Sequence, residues 1–169
     1  MSLHRLGLIV AVGLCEFAQA AEPRVDFPVA IRAHEAIDKA LAYLVQQQQA
    51  DGGWIAKDRS HPAVTALVVS ALAADEEIGP EHPAVVKGIA FVLRSVQPDG
   101  GIYVEADNMP NYHTSVALMA LAAMKDPAHA ERIKKAQQFL KDLQWDDGEG
   151  YEASSTWYGG QGYGRNKRP

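Results

Sequence analysis

Three Asp-Gly steps stand at one interval along this chain. It reads Gln-Ala-Asp-Gly-Gly-Trp at 49–54, Gln-Pro-Asp-Gly-Gly-Ile at 97–102 and Trp-Asp-Asp-Gly-Glu-Gly-Tyr at 145–151, so Asp51, Asp99 and Asp147 are 48 residues apart. A period of this length marks a stack of supersecondary units, none of which can bury its apolar face alone. Other columns keep the spacing. Eight residues before each Asp stand Tyr43, Phe91 and Phe139; twelve before stand Lys39, Lys87 and Lys135; fourteen before stand Ile37, Val85 and Ile133.

The segment ahead of each step has helical period. Ile37, Leu41, Leu44 and Val45 share one face, as do Val85, Ile89, Val92 and Val96. Between these amphipathic segments lie two uncharged ones, Pro62 to Ala74 and Tyr112 to Met124. A helix that is apolar all round is buried on more than one side. At thirteen residues each, neither spans a membrane. Each unit is therefore an outer, half-wet helix, a glycine turn and an inner, dry helix. In the turns Gly52-Gly53 and Gly100-Gly101 permit backbone angles closed to other residues, while Asp51 and Asp99 bond nearby amides. Gly148 is expected to do the same after Asp147. Pro83 and Pro127 suit a first helical turn, and Asp126 a cap.

The fold class expected is all-α: antiparallel helix pairs of about 48 residues forming an arc, over residues 33–164. Residues 21–32 read as an extended N-terminal segment, and 165–169 as a tail. Residues 1–20 read as a secretory leader: His4 and Arg5, an apolar run from Leu6 to Leu14, then Ala18-Gln19-Ala20 as a small-x-small cleavage pattern. Export to the periplasm or medium follows as the expected location. The only cysteine, Cys15, lies inside that leader, so the mature chain has no disulfide and no thiolate ligand. With 16 basic against 21 acidic residues, the chain lacks the basic stripe that nucleic-acid binding needs.

An aliphatic-Lys-x3-aromatic-Leu stretch followed by Gln-x-Asp-Gly-Gly-Trp resembles the QW-type repeat of the terpene-cyclase and protein-prenyltransferase superfamily. Gln49, Asp51, Gly52, Gly53 and Trp54 match best. Gln97, Asp99, Gly100 and Gly101 follow, with Ile102 and Tyr103 where Trp is expected. Gln144 and Gly148 carry the third copy, and the Gly-rich 158–164 passage resembles secreted prenyltransferase/squalene-oxidase repeat proteins. The resemblance implies a closed α/α toroid, of which two and a half helix pairs would form a partial ring with a greasy inner wall.

In cyclases of this type the resemblance implies an Asp-x-Asp-Asp acid that protonates an alkene. In protein prenyltransferases it implies zinc on Asp, Cys and His. Neither pattern occurs in the mature sequence, and no cofactor is expected. The best-placed acids are Glu105 and Asp107, in the loop after Tyr103. His113, at the start of an inner helix, is the one histidine singled out as a base or ligand, against the alternative of a satisfied buried ring. His61 and His82, each before a proline at a helix start, read as caps or surface residues. No metal cluster is expected among the histidines. Tyr103, Tyr112, Trp157 and Tyr158 are candidates for lining an apolar cavity. The functional expectation is a cyclase-like repeat protein handling an isoprenoid or other apolar molecule. A non-catalytic exported scaffold binding lipid or protein, and an exported toroid acting as a polysaccharide lyase, are the alternatives. Self-association through the open arc is the expected protein contact.

Overall fold

The computed structural model describes residues 27–164. The leader, the start of the 21–32 segment and the 165–169 tail lie outside that range. Among the described residues, five α-helices carry the fold: α1 (Phe27–Gln46), α2 (Pro62–Ala74), α3 (Pro83–Leu93), α4 (Pro110–Ala123) and α5 (Ala130–Lys141). The described residues are all-α as expected, apart from a single antiparallel bridge between Val96 and Ile102 and a small ribbon in the first loop. Ile55–Ala56 (β1) and Arg59–Ser60 (β2) pair antiparallel as a ribbon two residues long on each side. The helix also starts earlier than expected, at Phe27 rather than 33. Pro28 sits in its first turn, where its missing N–H is no loss, and Ala30, Ile31, Arg32 and Ala33 propagate it.

The helices form two layers. Inner helices α2 and α4 pack side by side, with α3 against α2 and α5 against α4. Val69, Leu72, Ala120 and Leu121 of the inner layer and Val85 and Val92 of α3 are wholly buried at this seam. His61, His82 and Asp126 cap as expected, each accepting the N–H two residues on.

The turns show why the interval is fixed. Gly52 and Gly100 have φ of +89° and +90°. A side chain there would be strained and would also strike the next outer helix: the Cβ positions lie 2.7 Å from the Lys87 carbonyl oxygen and 3.0 Å from that of Lys135. Beside them, Phe91 covers Gly53 and Phe139 covers Gly101. The Lys and aromatic columns are thus the places where one unit's helix seats on the previous unit's turn. Asp51 and Asp99 accept the N–H of Gly53 and Gly101 at 2.9 and 3.0 Å. Thr65 and Thr114, one turn into the inner helices, accept the N–H of Trp54 and Ile102 at 3.0 Å each.

The third turn departs from the expectation. Asp147-Gly148 is not its structural counterpart: these residues open a short 3-10 turn capped by Asp146, and it is Asp146 that bonds the Gly148 N–H. The hydrogen bonds identify Gly159-Gly160 instead. Gln49 and Gln97 donate their N–H to Gly53 and Gly101, and Trp145 donates to Gly160. Gly52 and Gly100 donate to Gln49 and Gln97, and Gly159 donates to Trp145. The Gln48 amide reaches the Gly52 carbonyl, and the Gln144 amide reaches that of Gly159, both at 2.9 Å. Trp54 Nε1 donates to Leu44, and Gln161 Nε2 to Leu140, both at 2.7 Å. An insertion therefore separates the third helix from its glycine pair, and the inserted segment folds back over Trp145 through Tyr151 and Trp157.

Candidate functional site

The loops between outer and inner helices bring three titratable side chains together from two units. Pro62 forces the preceding residue out of the helical region, and His61 sits extended at φ −127°, ψ 129° as the cap of α2. Its Nδ1 accepts the Ala63 N–H at 3.2 Å, which turns Nε2 toward Asp107 Oδ2 at 2.7 Å. Asp107 ends the 3-10 turn Glu105–Asp107, and Asn108 follows with left-handed φ of 51°, redirecting the chain into α4. His113 lies one turn into α4, 1% exposed. Its Nδ1 accepts the Val104 N–H at 3.3 Å, and its Nε2 stands 3.8 Å from the same Asp107 oxygen without a hydrogen-bond partner. Arg59 approaches the other oxygen at 3.8 Å from the exposed side. The two imidazoles meet edge to face at 5.0 Å.

A backbone N–H can only donate, so both Nδ1 atoms are bare and both neutral rings carry their proton on Nε2. Two N–H groups thus aim at one carboxylate. The His61 hydrogen bond, with help from nearby positive charge, holds Asp107 below the usual carboxylate range. Burial, then the neighbouring His61, lowers His113. The site is built to keep Asp107 ionised and the buried His113 ring neutral.

The same geometry bears on metals. His61, Asp107 and His113 offer ligand atoms within 4.8 Å of one another, a grouping the histidine spacing in the sequence did not suggest. A metal would need the Nε2 lone pairs, and these are occupied by protons as long as Nδ1 accepts from the backbone. Metal binding would break both of those hydrogen bonds.

The remaining sequence candidates separate. Glu105 is exposed on the same 3-10 turn, two residues from Asp107. Tyr103 is core, not lining: it is 5% exposed, stacks on Phe139 at 5.5 Å and donates its hydroxyl to Asp99 at 2.8 Å. Tyr112 does line a groove of about 480 Å³, with Asn111, Ser115, Gln161, Gly162 and Tyr163. There the Tyr163 carbonyl accepts the N–H of Asn111 and Tyr112 and so caps α4. Trp157 and Tyr158 sit exposed in the inserted segment, Trp157 edge-on to Trp145 and Tyr158 bonded to Asp147 at 3.4 Å. His61 was legible only as a cap; its second contact comes from a residue 46 positions away.

The inner helices also turn an apolar stripe away from the outer layer. Leu67 and Ala71 on α2 and Met119 and Ala122 on α4 are exposed, with Val64, Val68 and Leu118 half-buried beside them. None of the described helices is long and apolar enough to cross a membrane.

Residues 56–168 match the squalene-hopene cyclase C-terminal domain family. Squalene–hopene cyclase of Alicyclobacillus acidocaldarius is 32% identical over 108 residues, a stretch covering 63% of this chain and 16% of that protein.

Proposed function

Because the chain belongs to the squalene-hopene cyclase C-terminal domain family, we propose that it binds an isoprenoid or similar apolar molecule along its inner helices, without cyclising it. The observation that carries this reading is the exposed stripe of Leu67, Ala71, Met119 and Ala122 on an otherwise dry inner layer. Exposed apolar surface of this kind marks a ligand or partner face. Binding is favoured over turnover by the state of Asp107. Protonating an alkene needs a carboxylic acid that holds its proton until the substrate arrives. Asp107 is held as the anion instead, by the His61 N–H. Export of the mature chain belongs to the same reading and rests on the leader pattern in residues 1–20.

Incubating the chain with squalene tests both halves. The expected result is saturable binding with squalene recovered unchanged. A cyclised product would overturn the non-catalytic half, and absence of binding would overturn the whole.

A further inference from the structure

Each outer helix after the first seats on the turn of the preceding unit. In α3 the Lys87 carbonyl oxygen stands 2.7 Å from the Cβ position of Gly52, and in α5 that of Lys135 stands 3.0 Å from Gly100. The strip that makes this contact is covered in both: Val85 and Gly88 are buried and Phe91 half-buried in α3, and Ala136 and Phe139 are buried and Ile133 half-buried in α5. Helix α1 carries the same columns as Ile37, Lys39, Ala40 and Tyr43, yet its strip is bare, with Ile37 52% and Tyr43 60% exposed.

The opposite edge shows the converse. Gly159, at φ +78°, holds the hydrogen bonds that Gly52 and Gly100 hold. Its Cβ position meets only the Gln144 side chain of its own unit, at 3.8 Å. Among the described residues, one edge is an outer helix without a turn beneath it, and the other is a turn without an outer helix upon it.

We infer that the chain associates head to tail with a second copy of itself, the Lys39–Tyr43 strip of α1 in one copy seating on the Gly159 turn of the other. The interface continues the one that already joins α3 to the first turn and α5 to the second. At Gly160 the Trp145 indole fills the place that Phe91 takes at Gly53, so the new contact is centred on Gly159. The interface is heterologous: each copy keeps one free edge until the assembly closes. This inference is independent of the ligand proposed above.

Sedimentation velocity on the full chain tests it, with Tyr43→Asp, Gly159→Asn and an equimolar mixture of the two. Tyr43 is exposed and Asn tolerates positive φ, so both variants keep the monomer fold, verified by circular dichroism. Wild type is expected to associate at about 100 μM, where micromolar interfaces are populated. Each variant alone is expected to stay monomeric, and the mixture to form dimers through its one intact pair of edges. Three results would overturn the inference: a monomeric wild type at that concentration, association that survives either substitution, or a mixture that stays monomeric.

Discussion

Gly52 and Gly150 share a left-handed backbone but not an environment, and the pair isolates what the repeat turn does. Their φ values are +89° and +81°. A Cβ on Gly52 meets the Lys87 carbonyl oxygen at 2.7 Å, whereas one on Gly150 meets nothing within 4 Å. Gly150→Ala should lose only the left-handed penalty, about 1–2 kcal/mol. Gly52→Ala should add the overlap with α3, for a total of about 2–4 kcal/mol. Equal losses in urea unfolding would show that the turn does not carry the next helix. His113 supplies a second test at this scale. Burial lowers its folded value from 6.5, so the unfolded chain takes up the proton first. The stability it contributes is complete above pH 6.5 and drains as pH falls toward the folded value. The melting temperature should therefore drop between pH 7 and pH 5, and His113→Gln should flatten that drop. An identical slope in the variant would remove His113 as its source. Both histidine caps could be read from His-Pro pairs, because proline constrains the residue before it. The meeting of His61, Asp107 and His113 could not be read, because it depends on two units packing and no short spacing encodes that.

Among the elements, all five helices and their inner or outer character followed from apolar periodicity. So did the first two turns, where glycine and aspartate fall in register. The third failed for a physical reason. Asp147 keeps the interval, but backbone hydrogen bonding defines a turn, and Trp145 pairs with Gly160 across an insertion. Spacing alone cannot distinguish an Asp-Gly step in register from one inside an inserted loop. Excising residues 148–158 would join Trp145-Asp146-Asp147 directly to Gly159-Gly160 and place an aspartate before the glycine pair, as Asp51 stands before Gly52. The excised chain should unfold cooperatively, with its melting temperature lowered by no more than about 8 °C, equivalent to about 1–2 kcal/mol lost where the insert covers Trp145. Loss of cooperative unfolding would mean the insertion is structural rather than an addition to a repeat.

In the whole molecule the inner helices serve two surfaces. One side of α2 and α4 closes the core through Val69, Leu72, Ala120 and Leu121, while the other leaves Leu67 and Met119 open. Charges on the open side should spare the fold and abolish the ligand. Leu67→Glu with Met119→Glu, at positions 44% and 60% exposed, should change stability by less than about 1 kcal/mol. The decisive measurement is the squalene binding isotherm of this double variant beside that of the wild-type chain. The account predicts saturable binding in the wild type and at least a tenfold loss in the variant, equivalent to about 1.4 kcal/mol. Equal isotherms would contradict it.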